Sequence, residues 1–469
     1  MMRVDMGEHL PREAVSYSVT NSTQYMYDTF KVYFQYYRPS PQIAVSMSKD
    51  ALQQSLVALL RGCPLAFARL KIRPDRSICL DYNPKSSNNP VLEFHHAAVS
   101  YAELEARGFL LADANRYGLD LPPLDGTITE SFDQPLLLFK VSYLSDGGVA
   151  LFSSRHHVLF DGNALFSFVS NWAHYNRMLL QQPDTQLSEL PPYQVSIAKG
   201  NGRAATFKPA EISMDTLISS SELKQSVSRI FRPPDAARCV FRIAIADVRR
   251  LKQQVADSGV LDKGEWVSSN NALAAFIAQC IARAYTSAGI YEQVPSWSVY
   301  HSLDMRRLLD LPLRGIGSPL ILTDCPVPTE ELADAEKLPH LTVRIRRNIQ
   351  KYTADYLRGS LNWIDATYTQ LASDGIQEPW THIWSSLFRS NALLIGVSCM
   401  NKLPVYESDF GAGRPAIVRS PDLICNYVIA LPTLDADAIH LGVCLRAPVM
   451  RALRADSEWN ALCTLDCDS

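Results

Sequence analysis

The segment from Pro135 to Tyr175 changes its hydrophobic period once, and this change constrains the fold more than any other feature of the chain. Pro135–Tyr143 is apolar and strand-like, Gly147-Gly148 predicts a turn, and Val149–Arg155 predicts a second strand. After Gly162 the apolar residues follow helical spacing instead: Leu165, Phe168, Val169, Trp172 and Tyr175. The pattern predicts a hairpin followed directly by a helix, with Asn163 as its cap, and so a chain that mixes strands and helices.

Both halves of the chain repeat this mixture. Lys49–Leu60 and Ser269–Ala284 are helical by period, and Ala438–Leu445 is strand-like. The broadest polar break runs from about Gly200 to Pro234 and lacks a long apolar period. We therefore expect an α/β (α+β mixed) fold with an N-terminal domain over 1–200, a linker over 201–235 and a C-terminal domain over 236–469.

Composition excludes several classes of protein. The 469 residues include 45 basic and 48 acidic side chains, so the net charge of −3 gives no basic field for nucleic acid. No apolar run reaches the length of a membrane span, and the polar N-terminus lacks the features of a secretory signal. The ten cysteines are scattered and form no CxxC pair, which favours reduced thiols in a cytoplasmic protein without a metal site.

The sequence Arg155–Gly162, RHHVLFDG, lies between the predicted strand and the predicted helix. A side chain at such a corner can project into a cleft. Histidine can act there as a general base, because its ordinary pKa of about 6.5 lets it accept a proton at neutral pH. Asp161 can hold the corner through a salt bridge, and Gly162 is expected to supply a tight backbone.

An isolated histidine is more often part of a core or surface than of a catalytic site. Of the ten histidines, only His157 has an aspartate four residues later, at Asp161. The second pair, His95-His96, has neither aspartate nor glycine behind it and serves as an internal control. The doublet, the Asp-Gly and the strand-to-helix context together favour a catalytic interpretation of His157.

With these residues the chain resembles the BAHD acyltransferases and, more broadly, the chloramphenicol-acetyltransferase-like fold. HHVLFDG is similar to the HxxxDG signature, and Asp409–Gly413, DFGAG, is similar to the second signature, DFGWG. Three further segments resemble family stretches: CPLAFARL at Cys63–Leu70, SSNNALAA at Ser268–Ala275 and LDMRR at Leu303–Arg307. The resemblance extends from about residue 50 to residue 460.

The resemblance implies two chloramphenicol-acetyltransferase-like domains, each a mixed β-sheet flanked by helices, with the active-site channel between them. It implies direct transfer of an acyl group, commonly acetyl, from acyl-CoA to a hydroxyl of a small secondary metabolite, an amine being the second option. His157 would be the general base, and Asp161 would turn away from the substrate and pair with Arg306. The protein would be a monomer that holds no permanent cofactor.

The resemblance also assigns roles outside the corner. Ser398 would face the acceptor and stabilise the oxyanion or orient the acceptor. Structural roles fall to Gly162, Arg306, Asp409, Gly411 and Gly413, and contacts with acyl-CoA to Ser268, Ser269 and Asn270.

Three departures from the family pattern favour a fungal-type branch over the plant enzymes. Ala412 replaces the tryptophan of DFGWG, Met400 replaces a frequent tryptophan on the acceptor side, and Gly317-Ser318 replaces a frequent Gly-Asn. Two other activities remain open: a carrier-protein-dependent condensation or release enzyme that uses a phosphopantetheine-bound donor, and an altered member that only binds a ligand. The complete His157–Asp161 pair disfavours the second of these.

Two weaker features have simpler explanations. Gly200–Ala205 fits GxGxxA, but a proline and the lack of a helical period after it favour a linker over a phosphate loop. Arg344, Arg347 and Lys351 share one face if their segment is helical, and a solvated face is favoured over a phosphate contact.

Overall fold

Three sheets organise the chain. The computed structural model describes residues 3–6, 10–19, 30–126, 128–130, 132–182, 193–200, 233–290, 296–377, 379, 393–420 and 423–468. Residues 201–232 of the predicted linker lie outside the described residues. The described strands form a five-stranded, a seven-stranded and a three-stranded sheet, which confirms the predicted α/β (α+β mixed) class.

The strands are β1 Val15–Ser18, β2 Phe30–Tyr37, β3 Arg69–Ile72, β4 Ile78–Tyr82, β5 Val91–His96, β6 Leu137–Tyr143, β7 Val149–His156, β8 Ala236–Ala244, β9 Ser296–Asp304, β10 Leu320–Pro328, β11 Leu393–Cys399, β12 Ile417–Arg419, β13 Tyr427–Pro432, β14 Ala438–Arg446 and β15 Cys463–Asp468. The helices are α1 Pro41–Ser46, α2 Lys49–Arg61, α3 Tyr101–Ala106, α4 Leu111–Arg116, α5 Gly162–Gln181, α6 Ile245–Asp257, α7 Ser269–Ser287, α8 Thr329–Ala333, α9 Leu338–Gln350, α10 Ala354–Ser373, α11 Ala447–Ala455 and α12 Ser457–Leu462.

The predicted hairpin is confirmed as β6 and β7, which pair antiparallel from Leu137–Arg155 to Tyr143–Val149. Its turn holds Gly147 at φ +89°, a conformation that glycine adopts without strain. The five-stranded sheet has the order β12-β2-β7-β6-β5, so β7 lies at its centre. All eight residues of β7 are buried, so the strand that delivers the histidines is held rigidly on both sides.

Helices α2 and α5 pack on this sheet. Trp172 of α5 is fully buried and donates from its indole nitrogen to the carbonyl of Leu52, 3.1 Å away. Asn176 accepts a hydrogen bond at 2.9 Å from the hydroxyl of Ser55 on α2. These bonds fix α5 along its length, and therefore also fix its N-terminus beside the end of β7.

The seven-stranded sheet has the order β10-β9-β11-β13-β14-β8-β15. Strand β11 runs parallel to β9 and β13, and the other neighbours are antiparallel. Helix α7 is apolar on nearly all sides and is buried from Asn271 to Ala282, as expected for a central helix in a second core. Helices α6, α9 and α11 contribute to the same core.

Strand β12 adds a segment from the second half of the chain to the five-stranded sheet. It belongs to the second half of the chain, yet its residues Ile417–Arg419 pair with Phe34–Tyr36 of β2. The arginine of this strand, Arg419, is 4% exposed and forms an ion pair at 2.9 Å with Asp466 of β15. The two halves are therefore interlocked through backbone pairing, and this fixes the position of the loops between them.

Candidate active site

The HHVLFDG segment turns the chain from β7 into α5, as the change of period predicts. Its two histidines lie in different environments, one fully buried and the other partly exposed. His156 ends β7, is 0% exposed, and has its Nε2 3.0 Å from the carbonyl oxygen of Gly126. The rings of Phe30 and Phe132 pack edge-on against it. His157, the next residue, is half-buried, so it is the histidine of the pair that a ligand can reach.

The surroundings of His157 favour its neutral form. Desolvation lowers the pKa of its imidazole well below the ordinary 6.5, and the charges of Arg155 and Lys31 lower it further. The hydroxyl of Ser318 lies 3.3 Å from Nδ1. With Nδ1 so engaged, Nε2 is the nitrogen left to accept a proton, and the lowered pKa favours an unprotonated imidazole at neutral pH.

Asp161 caps helix α5. Its carboxylate accepts a hydrogen bond from the backbone nitrogen of Ala164 at 2.8 Å, which satisfies an amide at the helix N-terminus. The predicted cap, Asn163, is wrong: Asn163 is the second residue of the helix and donates to the carbonyl of Leu313. A carboxylate at this position also suits the positive end of the helix dipole.

The second oxygen of Asp161 receives the guanidinium of Arg306 at 2.5 Å, so the ion pair that the resemblance implied is present. Both side chains are withdrawn from solvent, at 1% and 0% exposure. Burial raises the pKa of Asp161, and the adjacent guanidinium opposes that shift. Arg306 also reaches Asp304 at 3.1 Å and the carbonyl of Gly317 at 3.1 Å.

Gly317 connects the corner to the second half of the chain. Its carbonyl accepts a hydrogen bond from the nitrogen of Asp161 at 3.3 Å, and Phe160 forms a parallel bridge with it. Its φ of +134° is one that residues other than glycine rarely adopt, and a Cβ would collide with the backbone of Ser196. This glycine therefore allows the loop before β10 to lie against the corner and to place Ser318 beside His157.

Gly162 is expected to supply a tight backbone at the corner, and in the structure its lack of a side chain permits a close approach between two segments. Gly162 is the first residue of α5, and its φ does not lie in the left-handed region. A Cβ on this residue would instead lie 2.5 Å from Cε of Met400 and 3.2 Å from Leu403. Glycine is suited to this position because it lets the loop after β11 approach the start of the helix.

A group of hydroxyls lies on β9, β11 and β13. The Ser302 hydroxyl is 3.3 Å from that of Tyr427, and Ser398 is near enough to Tyr427 to oppose the rise that burial causes in the pKa of its phenol. These three residues are half-buried although their strands are in the interior of the seven-stranded sheet. Two residues after Ser398, the Met400 sulfur lies 3.8 Å from the hydroxyl of Tyr33 on β2. Met400 also lies against Gly162 at the start of α5, so the three hydroxyls are on strands that lead to the corner.

The DFGAG segment is remote from this region. Asp409 accepts hydrogen bonds from the nitrogens of Gly411 at 2.8 Å and Gly413 at 2.9 Å, which closes a tight loop. Phe410 is fully buried, and its carbonyl accepts from Asn176 of α5. Asn176 is fourteen residues along the helix from Gly162, or about 21 Å at 1.5 Å per residue. The structure does not bring Asp409, Gly411 or Gly413 to His157.

Ser268, Ser269 and Asn270 begin helix α7. The hydroxyl and nitrogen of Ser268 form a reciprocal capping box with Asn271, which engages the Ser268 side chain. Ser269 and Asn270 are half-buried in the first turn. The structure shows no contact between these three residues and the corner.

The basic face on α9 is occupied mostly by ion pairs. Arg344 binds Glu331, and Arg347 binds Glu265 and Asp262. The guanidinium of Arg346 stacks over Trp266 at 4.0 Å. Arg344 and Arg347 of this face are therefore engaged in ion pairs at a partly exposed surface.

Within the part of the chain that the structure describes, no cluster of three or more His, Cys, Asp and Glu side chains could hold a metal ion. None of the described helices combines the length and apolarity needed to cross a bilayer. All ten cysteines are described; nine are buried, and no disulfide joins them.

Three residues at this site received no role from the sequence. Ser318 was noted only as a departure from a family pattern, and Ser302 and Tyr427 were not singled out. No sequence motif marks a serine or tyrosine that is brought to the site only by the pairing of distant strands. The register of β9 with β10, which places Leu320 opposite Asp304, brings the loop of Ser318 to the corner.

Comparison with known proteins agrees with this geometry. The family model described as the transferase family matches residues 3–460. The O-acyltransferase pigD of Monascus ruber is 25% identical over 353 residues, which are 72% of this chain and 71% of that protein. The O-acetyltransferase anaAT of Neosartorya fischeri is 25% identical over 436 residues, 80% of this chain and 84% of that protein.

Among solved structures, F. sporotrichioides TRI101 complexed with coenzyme A and T-2 superposes with a TM-score of 0.74. It is 19% identical and the alignment covers 97% of this chain and all of that chain, which shows a shared fold. The family match extends over nearly the whole chain and includes both signature segments. The protein therefore belongs to the transferase family, the BAHD-type enzymes, and is an acyltransferase.

Proposed function

We propose that this acyltransferase moves an acyl group from an acyl-CoA thioester to a hydroxyl of a small molecule, with His157 as the general base. The observation that carries the proposal is the half-buried, neutral His157 at a corner that Asp161 and Arg306 hold in place. The names of two relatives, an O-acyltransferase and an O-acetyltransferase, support a hydroxyl acceptor and an acetyl donor. The complexes of TRI101 with coenzyme A support the donor class.

The reaction needs one base and no covalent enzyme intermediate. Nε2 of His157 takes the proton of the acceptor hydroxyl as its oxygen attacks the thioester carbonyl carbon. The resulting tetrahedral intermediate expels the thiolate of CoA, and the imidazolium returns the proton to that sulfur. The products are an ester and free CoA, and His157 is neutral again for the next turnover.

Ser398 is proposed to stabilise the oxyanion or to orient the acceptor. Its half-buried position beside Tyr427 supports this role, because a partly exposed hydroxyl can donate a hydrogen bond to a ligand. Asp161 and Arg306 are proposed to position His157 without touching the reacting atoms. Gly162, Asp409, Gly411 and Gly413 are proposed to be structural.

The donor is proposed to bind between an N-terminal unit, residues 1–200, and a C-terminal unit, residues 236–469. Ser269 and Asn270 begin a long helix whose N-terminus carries partial positive charge, which suits contact with the phosphates of CoA. Ser268 would contribute mainly by capping that helix. A cytoplasmic monomer that acts on a secondary metabolite completes the proposal.

The test is thiol release by the purified full chain, measured with acetyl-CoA and a panel of alcohols. We expect turnover with acetyl-CoA and loss of about 10²–10⁴-fold in the His157→Ala variant. His96→Ala, an exposed histidine at the end of β5, is the matched control and should leave the rate unchanged. Activity only with a carrier-protein thioester would contradict the acyl-CoA proposal, and a fully active His157→Ala variant would exclude the proposed base.

A further inference from the structure

Strands β9 and β11 separate in the middle of the seven-stranded sheet. They pair in parallel from Trp297–Leu393 to Tyr300–Gly396, and their pairing ends there. Strand β9 nevertheless stays paired with β10 as far as Asp304, and β11 stays paired with β13 as far as Cys399. A slit therefore opens between two interior strands, and we call the gap beyond Tyr300 and Gly396 the β9–β11 slit.

His301 lies at the closed end of this slit. Its Nδ1 is 3.0 Å from the carbonyl oxygen of Val397 on β11, where a backbone hydrogen bond would otherwise continue the ladder. Because a carbonyl only accepts, Nδ1 carries the proton and Nε2 carries a lone pair. Nε2 is buried, and none of the described residues gives it a hydrogen-bond partner.

The open end of the slit leads to the corner. Ser302 on β9 and Ser398 on β11 follow His301 and Val397 along the two separated strands, and both are half-buried. Strand β9 ends at Asp304, three residues or about 10 Å beyond His301. Asp304 contacts Arg306, which binds Asp161 of the corner. A narrow, extended ligand in the slit would thus have one end beside the corner.

A buried acceptor with no partner is unfavourable unless a ligand supplies the donor. Desolvation lowers the pKa of His301, so its Nε2 offers a lone pair and no proton at neutral pH. The group complementary to it is a hydrogen-bond donor, and the N–H of an amide is such a donor. The pantetheine arm of an acyl-CoA is narrow and extended, and it carries two amide N–H groups.

We propose that Nε2 of His301 accepts a hydrogen bond from an amide N–H of the pantetheine arm when the arm lies in the β9–β11 slit. The inference rests on the proposed acyl-CoA donor. It makes His301 a residue that positions the thioester, distinct from His157, which acts on the acceptor. The hydroxyls of Ser302 and Ser398 mark the route from His301 toward the reacting end.

The experiment measures binding of CoA to the full chain by calorimetry, so it does not depend on knowing the acceptor. His301→Phe keeps an aromatic ring and removes the lone pair, and His301→Gln places an amide that can still accept. We expect His301→Phe to bind CoA about ten-fold more weakly, as for loss of one hydrogen bond, and His301→Gln to recover most of the affinity. His340→Phe on α9 is the control and should bind CoA as the wild type does.

Steady-state kinetics shows whether His301 serves the acyl donor or the acceptor. In His301→Phe the KM for acetyl-CoA should rise about ten-fold, with kcat and the KM for the acceptor nearly unchanged. A rise in the acceptor KM with unchanged CoA binding would overturn the proposal, because Nε2 would then serve the acceptor. Equally weak CoA binding by His301→Phe and His301→Gln would also overturn the proposal, because the changed shape of the side chain would then explain both results.

A modified ligand tests the same bond in the unmodified protein, in case the phenylalanine variant fails to fold. Two CoA analogues, each with one amide replaced by an ester, remove the two N–H groups in turn. One of them should bind the wild type about ten-fold more weakly than CoA does, and His301→Gln should show the same preference. If neither analogue binds more weakly, the inference is wrong. A wild type that binds no CoA at all contradicts the proposed function instead.

Discussion

Arg306 and Asp161 form a buried ion pair at 2.5 Å across 145 positions of sequence. The same carboxylate caps helix α5, and the same guanidinium binds the carbonyl of Gly317. One pair of charges therefore joins the start of the helix, the end of β9 and the loop before β10. His157 lies in the corner that these three elements define, so its position depends on a contact between two side chains that are withdrawn from solvent.

Removal of either charge should destabilise the protein strongly. Asp161→Asn keeps the cap to Ala164 and loses the charge, and Arg306→Met leaves Asp161 buried without its partner. We expect each single variant to lower the free energy of unfolding by about 3–5 kcal/mol. In urea denaturation the double variant should lose much less free energy of unfolding than the two single variants lose together. The reason is that the second change removes a charge that the first has already left without a partner. Strictly additive losses would show that the two residues are not coupled.

Gly317→Ala should be among the more damaging glycine substitutions. Its φ of +134° is unfavourable for alanine, and the new Cβ would collide with the backbone of Ser196. We expect the free energy of unfolding, measured by thermal denaturation, to fall by about 3 kcal/mol or more. Gly259→Ala is the control, since Gly259 has φ +75° and open space around it, and should lose only about 1 kcal/mol. Equal losses would mean that the contact with Ser196 does not constrain the loop.

The acid limb of the pH–rate profile should lie below pH 6.5, because the pKa of His157 is lowered and a protonated imidazole cannot accept a proton. Lys31→Met removes a cation that disfavours the imidazolium, so the pKa of His157 should rise and the acid limb should move to higher pH. Lys252→Met, on the exposed face of α6, should leave the limb in place. The measurement is kcat/KM against pH, and an unmoved limb in Lys31→Met would contradict the proposed coupling.

Asp409→Ala should affect stability and not chemistry. The change removes the acceptor of two hydrogen bonds, from Gly411 and Gly413, in a loop that packs against the far part of α5. We expect a loss of about 1–3 kcal/mol in urea denaturation and an unchanged kcat for the folded protein well below its Tm. Glu407→Ala, an exposed acid in the same loop, should change neither. A large fall in kcat of the folded Asp409→Ala variant would place this loop in the catalytic machinery.

The sequence alone determined the features that depend on neighbouring residues. The change of hydrophobic period predicted the hairpin and the helix α5, because burial on a sheet or on a helix imposes its own spacing of apolar residues. The spacing of histidine and aspartate identified His157 and Asp161, and resemblance to a family supplied Arg306. These inferences hold because strand, turn and helix are each encoded within a short stretch of chain.

Only the tertiary structure decided which distant residues meet at the corner. Ser318, Gly317 and Met400 reach it through strand register and loop packing, and no short stretch of sequence encodes those contacts. Packing also corrected one local expectation, since Asp161 caps the helix in place of Asn163, and it gave Gly162 the task of making room for Met400. The buried lone pair of His301 likewise depends on where two strands stop pairing, a property of the sheet as a whole.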